Sequence, residues 1–398
     1  MKLVLNAGYL PKGFLAAGIQ AGLKRRARRD LGLLYSGAPC SAAAMFTANK
    51  VEAAPVTLSR RHARSGTVQA VIVNSGNANC MTGAQGMRAA ETMAAAAASV
   101  LRLKPAQVLV ASTGIIGRQL PVDKVLQAVP RLVEDLHPRG FSRLADAIGT
   151  TDTFRKEAAV SFSLGGVRAT LCGVAKGAGM IAPRMRLATM LSFLATDAAV
   201  APALLRTVLR EAVEGSFNAI TVDGCMSTND MVVALANGAA GNRPVRAGSR
   251  DHGVLAGAMR AVCTALAKMI VQDAEGATKF ITIDVTGASD GRQAEALAFA
   301  VANSVLFKTA MAGSNPNWGR IAAALGSIPA RVDARKMTIA LNGRIVLRAG
   351  RPVPFEKKDL LRGREVHVVI RLGQGKAAKR VWTSDLSYGY VRINAAYN

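Results

Sequence analysis

Two apolar runs rich in β-branched residues, 68–74 and 107–111, bracket an Ala-rich segment from about residue 86 to 103 whose composition suits a helix. A strand, a helix and a strand in that order confine the first half of the chain to a mixed α and β architecture, because each apolar face must be covered by another element. Further helices are expected at 202–213, 254–271 and 292–311, with Pro202 suited to a first helical position. After Ala330 the texture turns to strands. Segments 336–341 and 344–348 flank Asn342-Gly343, a pair that tolerates positive φ and so predicts a hairpin, and 366–371 adds another strand. The loop at 241–249 reads as a joint between units.

With 398 residues, half of them apolar, the chain has material for two or three packed units and needs no covalent staple. Its five cysteines are scattered, never in CxxC spacing, and its four histidines (His62, His137, His252, His367) show no metal-ligand spacing. No disulfide framework, metal centre or dithiol redox centre is expected. No apolar run reaches the roughly 18–20 residues that cross a bilayer. Asn6, Pro11 and Lys12 interrupt any leader-like apolar segment, so a soluble protein of a reducing cytoplasm is expected.

Against 25 acidic residues stand 51 Lys and Arg, a net charge of +26, and Lys24-Arg25-Arg26-Ala27-Arg28-Arg29 is a basic cluster. Aromatics are only 5% of the chain and none accompanies the cluster, so a solvated basic face or steering of small anions is favoured over nucleic-acid binding.

The windows that look chemical are short and polar. Lys176-Gly-Ala-Gly179 opens a glycine-rich loop that runs through Pro183 to Ala188 and then, at Thr189, into an apolar strand. Its spacing matches no phosphate-binding motif. Ser112-Thr113-Gly114 ends a buried strand with a hydroxyl followed by a glycine N–H, the two donors that an oxyanion hole needs, although an ordinary strand-to-turn junction has the same residues. Asn74-Ser-Gly-Asn-Ala-Asn79, Thr221–Asp230 and Glu275-Gly-Ala-Thr-Lys279 place amides, hydroxyls and carboxylates in apolar surroundings. Turns and caps explain any one of them. Lys176 and Glu275, bracketed by Gly and Ala, suit recognition of an amino-acid zwitterion.

Together these windows, with Gly13–Gly18, Thr150-Thr-Asp-Thr153, Ile220-Thr-Val-Asp-Gly224, Asn315–Arg320 and Asp385–Tyr388, resemble the ornithine acetyltransferase family of arginine biosynthesis over nearly the whole chain. The resemblance implies an α+β fold, an αββα layered sandwich like that of N-terminal-nucleophile enzymes with a smaller C-terminal α+β domain. It divides the chain into 1–188, the N-terminal chain; 189–280, the start of the C-terminal chain; and 281–398, the smaller domain. It implies self-cleavage between Ala188 and Thr189, freeing Thr189 as nucleophile, whose own α-amine, with a pKa of about 7.7–8, serves as base. It also implies Thr113 and Gly114 as oxyanion hole, and Thr150, Thr151, Lys176, Thr189, Glu275 and Asn394 as substrate contacts. The loop before Thr189 is about two residues longer than the usual family pattern. The implied reaction moves the acetyl group of N-acetylornithine to glutamate without a cofactor, with acetyl-CoA as a conceivable second donor. The implied assembly is two copies of each cleaved chain, with no membrane or nucleic-acid partner. The competing readings are an N-terminal-nucleophile aminopeptidase or amidase and a basic nucleic-acid-binding protein.

Overall fold

The computed structural model describes residues 2–25, 27–182 and 190–396. They form two compact units that interleave along the chain. The first holds the described residues up to Gly177, from Met190 to Asn218 and from Met226 to Ile270; the second holds Ala178–Ala182, Ala219–Cys225 and Val271 onward. Each is a mixed sheet faced by helices, the α+β layered class that the sequence predicts. The loop 241–249 lies inside the first unit.

In the first unit the sheet order is Lys2–Leu5, Lys156–Leu164, Val167–Lys176, Leu191–Thr196, Met231–Ala236, Leu31–Phe46, Thr67–Asn77 and Val108–Ile115, with Phe14–Ile19 pairing on Leu31–Phe46. The strand–helix–strand pattern is present: Thr67–Asn77 and Val108–Ile115 pair in parallel around the helix Gly83–Leu101. Alternate residues of these strands enter different cores. Ala70, Ile72, Val108 and Val110 meet the Ala89, Ala90, Met93 and Ala97 face of that helix. Val71, Val73, Leu109 and Ala111 turn to a second core that includes Phe141 and Leu144. The small residues matter where layers approach closely: a Cβ on Gly18 would stand 2.0 Å from the Arg143 carbonyl oxygen.

One expectation needs correcting. The helix Arg250–Gln272 has 23 residues and a mean hydropathy of 1.7, long and apolar enough by those criteria to cross a membrane. It is a core helix by its packing, with 56% of that window buried and Val262 and Leu266 lying against Gly173.

The second unit carries the sheet Arg351–Pro352, Arg344–Arg348, Thr338–Leu341, Glu365–Arg371, Phe280–Ala288, Ala377–Ser384 and Ile220–Thr221. Asn342 and Gly343 have φ of 45° and 82° and make the expected hairpin. The helix expected at 292–311 is instead two, Gly291–Ala302 and Val305–Ala312, bent by 54°. The Ser304 hydroxyl accepts the Phe307 N–H and caps the second helix, so the polar pair Asn303-Ser304 ends one helix and starts another.

Buried amides hold the end of Val108–Ile115. The Asn229 Nδ2 donates to the carbonyls of Ala78 (2.6 Å) and Ser112 (2.9 Å), the Ser112 hydroxyl donates to Asn74 Oδ1 (2.6 Å), and Asn74 Nδ2 donates to the Asn77 carbonyl (2.9 Å). In the second unit the fully enclosed Lys308 donates to Thr383 Oγ1 (3.0 Å) and to the Ser384 carbonyl. Burial pushes its ammonium down to about 8, against the pull of Asp385 and Asp223.

Two outcomes follow from these buried groups. Asn229→Ala strips two carbonyls of a donor and should cost about 2 kcal/mol in urea unfolding, with Asn229→Asp no better because a carboxylate cannot donate. For Lys308, the unfolded chain holds its proton up to the ordinary 10.5 while the folded chain releases it near 8, so this residue makes stability rise with pH across that window. Lys308→Met should flatten the rise, read as unfolding free energy between pH 8 and 10; an unchanged slope would refute the assignment.

Candidate active site

The sequence-predicted residues of the first unit fall at strand ends. Thr113, buried, and Gly114 close the strand Val108–Ile115. Gly114 has a φ of 133°, and a Cβ there would lie 2.4 Å from the Gly76 carbonyl carbon, so only glycine lets the two strands meet at this point. The buried amide chain of Asn74, Ser112 and Asn229 sits directly behind this turn and fixes its position.

Thr150 and Thr151 follow the helix Phe141–Ile148, and Lys176 ends the strand Val167–Lys176. Between them lies Asp152. One of its oxygens accepts the Gly177 N–H (2.8 Å) and the other accepts the Thr150 N–H (2.9 Å). Burial raises the Asp152 carboxyl, but the Lys156 and Lys176 charges and the Gly177 and Lys156 hydrogen bonds together hold it below the usual carboxylate range. Thr150 and Thr151 also line an open groove of about 1480 Å³ with Lys24, Arg28, Arg131 and Arg155. Thr113, Gly114 and Lys176 are not among the residues lining it. Ion pairs occupy several of its guanidiniums, Arg155 with Asp146 (2.6 Å) and Arg143 with Asp135 (2.6 Å) among them.

In the second unit the glycine-rich segment Ala178–Ala182 is pinned by backbone bonds. Asp223 accepts the N–H groups of Met180 (2.6 Å) and Ile181 (2.9 Å), and the Ala178 carbonyl accepts the Glu275 N–H (3.0 Å). Tyr390 donates its hydroxyl to the same Asp223 (3.3 Å), and burial followed by the Asp223 charge pushes that phenol up. The Glu275 carboxylate lies so close over Gly179 that a Cβ there would be 2.2 Å from Oε2. Asn394 Nδ2 donates to Glu275 Oε2 (2.8 Å), which brings together two of the predicted substrate contacts. Among the described residues the buried Glu275 carboxylate accepts one amide donor, which leaves lone pairs suited to a cation such as an amino group.

Ala188 and Thr189, the predicted cleavage pair and nucleophile, lie outside the described residues. Met190, which follows them in sequence, is buried and its carbonyl accepts the Met231 N–H (2.9 Å). Sequence reasoning missed Asp152, Asp223, Gly179 and Asn229 as supporting residues. Each stands inside a motif already singled out, where the hydroxyls and lysine drew attention and the acceptor that organises them did not. Among the described residues no group of three or more His, Cys, Asp or Glu side chains is placed to hold a metal ion.

The model of the ArgJ family matches residues 15–398. The chain is 47% identical over 392 residues to the "Arginine biosynthesis bifunctional protein ArgJ" of Symbiobacterium thermophilum, covering 97% of each chain, and 45% identical to that of Geobacter sulfurreducens, covering 97% of this chain and 99% of the relative. Among solved structures, the arginine biosynthesis bifunctional protein of Bacillus halodurans is 38% identical with a TM-score of 0.51, covering 52% of this chain and all of that one. Ornithine acetyltransferase of Mycobacterium tuberculosis, crystallised with ornithine, is 37% identical with a TM-score of 0.42, covering 46% of this chain and 98% of that one. A family match across nearly the whole length, with relatives this similar end to end, means that the chain belongs to the ArgJ family.

Proposed function

We propose that this chain is an acetyltransferase of arginine biosynthesis that moves the acetyl group of N-acetylornithine to glutamate. The observation that carries the reading is the end-to-end membership of the ArgJ family, in which the relatives' printed name places them in arginine biosynthesis. The side-chain geometry supports it. Lysine and hydroxyl groups cluster at one set of strand ends, as a carboxylate requires, and the Glu275–Asn394 pair offers an acceptor to an amine. A hydrolase needs no second amino acid, so these recognition groups favour transfer over amidase action.

In the proposed mechanism the chain first cuts itself between Ala188 and Thr189. The Thr189 hydroxyl oxygen attacks the Ala188 carbonyl carbon, the peptide C–N bond breaks as the acyl group moves to oxygen, and water hydrolyses the resulting ester. This leaves Thr189 with a free α-amine. That amine removes the hydroxyl proton as Thr189 attacks the acetyl carbonyl, and returns it to the departing ornithine nitrogen. Thr113 and Gly114 stabilise the oxyanion of each tetrahedral intermediate. The glutamate amine then attacks the acetyl-Thr189 ester, forming acetylglutamate and restoring the threonine. Lys176 pairs with the substrate carboxylate and Glu275 with the distal nitrogen of ornithine. The word bifunctional in the relatives' name supports acetyl-CoA as a second source of the same acetyl-Thr189. Two copies of each cleaved chain form the proposed assembly.

Intact mass of the active protein should show two chains split before Thr189, while Thr189→Ala stays whole; a fully active uncut chain would overturn the mechanism. Double-reciprocal plots should be parallel, and without glutamate the C-terminal chain should gain one acetyl mass. Intersecting lines with no acetylated chain would mean direct transfer instead. Thr113→Ala should lower turnover by about 10²-fold with little change in the Michaelis constant. Glu275→Gln should weaken ornithine and N-acetylornithine more than glutamate, which has no second nitrogen.

A further inference from the structure

The groove that Thr150 and Thr151 line lies wholly within the first unit and encloses about 1480 Å³. Sites for drug-sized ligands run to about 300–1,000 Å³, so this groove is larger than a free amino acid fills. Its lining is strongly charged. Arg29, Arg143 and Arg155 are taken up by ion pairs, the first and third with Asp146 (3.2 and 2.6 Å) and the second with Asp135 (2.6 Å). The other two lining carboxylates are engaged as well, Asp152 by the buried Lys156 (2.5 Å) and Glu157 by the Gly8 N–H and the Ser142 hydroxyl (3.2 Å each).

Three further cations of the groove have no carboxylate against them. Among the described residues the exposed Arg28 side chain makes no hydrogen bond or ion pair, Arg131 donates to the Gln20 carbonyl (2.5 Å), and Lys24 Nζ donates to the carbonyls of Gly149 (2.7 Å) and Arg29 (2.8 Å). The Arg28 charge also acts on Lys24 and opposes its protonation. Two guanidiniums and an ammonium in one groove, bonded to nothing more than neutral carbonyls, suit phosphate oxygens.

The sequence sets no aromatic beside the basic cluster 24–29, but the fold brings Phe154 into the same groove. Phe154 is 43% exposed, and the Nζ of the buried Lys156 stands 5.0 Å from its ring centroid. An ammonium inside the protein thus supports the ring, whose solvent side is open to a planar base.

We infer that the groove seats an acyl thioester that carries an adenosine phosphate, acetyl-CoA in this reaction: Arg28, Arg131 and Lys24 meet its phosphates, Phe154 stacks its adenine, and its thioester end lies toward Thr150 and Thr151. This rests on the proposed reading in which acetyl-CoA is a second acetyl source. In that step the Thr189 hydroxyl oxygen attacks the thioester carbonyl carbon, the C–S bond breaks, and the α-amine passes the hydroxyl proton to the departing sulfur, giving the same acetyl-Thr189. N-acetylornithine has neither phosphate nor base. The groove therefore serves one donor and is idle for the other.

Calorimetric titration of the full-length, self-cleaved protein with CoA, with its adenosine bisphosphate fragment and with inorganic diphosphate reads the site without turnover. CoA and the fragment should bind, less tightly as salt rises, and diphosphate should bind about tenfold or more weakly because it cannot stack. Diphosphate as tight as CoA would make this a bare anion site and overturn the assignment. Arg28→Ala with Arg131→Ala, both at exposed positions, should weaken CoA and raise the Michaelis constant for acetyl-CoA by about tenfold or more, with that for N-acetylornithine changed by less than about twofold. Phe154→Leu should weaken CoA but not diphosphate, and Phe154→Trp should restore it. CoA binding unchanged in the arginine and leucine variants would overturn the proposal. A wild-type chain that transfers acetyl from N-acetylornithine but neither binds CoA nor uses acetyl-CoA would overturn it too, with acetyl recycling left standing. A chain that binds CoA through these residues yet transfers no acetyl group would instead overturn the acetyltransferase reading.

Discussion

The paired hydrogen bonds from the Asn229 amide to the carbonyls of Ala78 and Ser112 tie together the ends of two strands that the parallel ladder has already brought side by side. Apolar burial drives Val108–Ile115 into the middle of two cores, but burial is indifferent to where a strand stops. The stop is set by polar atoms that must find partners away from water, and the chain supplies them as short amides rather than charges. Gly114 can take its unusual backbone because it lacks a Cβ, and the bonds among Ser112, Asn74 and Asn229 hold the strand that leads into it beside Gly76.

The same device recurs with carboxylates. Asp152 gathers the N–H groups of Thr150 and Gly177, Asp223 gathers those of Met180 and Ile181, and Asp30 gathers those of Ala21, Leu23 and Lys24. In each case a single side chain orders a loop rich in glycine or small residues, a backbone with high conformational entropy to lose. Rigid loops at strand ends are what a transferase of small amino acids needs, since a carboxylate and an amine must be presented at fixed separation rather than enveloped.

Much of this was legible in the sequence, for identifiable reasons. Periodicity located the strands at 68–74 and 107–111 and the helices at 202–213 and 254–271, because their apolar faces are continuous. It joined Gly291–Ala302 to Val305–Ala312, since Ser304 interrupts a helix by capping chemistry that leaves the apolar spacing intact. The Asn342-Gly343 turn was legible because the required backbone angles select those residue types. Asp152 and Asp223 were not, because an acceptor's role depends on which N–H groups the fold brings to it, and Gly177 lies 25 residues from Asp152 and Ile181 lies 42 from Asp223.

The strand Leu191–Thr196 is paired along its length on both sides, to Val167–Lys176 and to Met231–Ala236. A cut between Ala188 and Thr189 would fall between two neighbouring strands of one continuous sheet, so strand ladders, a shared core and hydrogen bonds such as those of Asn229 would then hold the two polypeptides together without a covalent link. Folding must therefore precede scission, while the halves are still one molecule. Once cut, the mature protein would have to reassemble from two pieces after denaturation, a second-order process that dilution slows. Its persistence would then rest on how slowly that sheet opens, and loss of the native state would become effectively one-way.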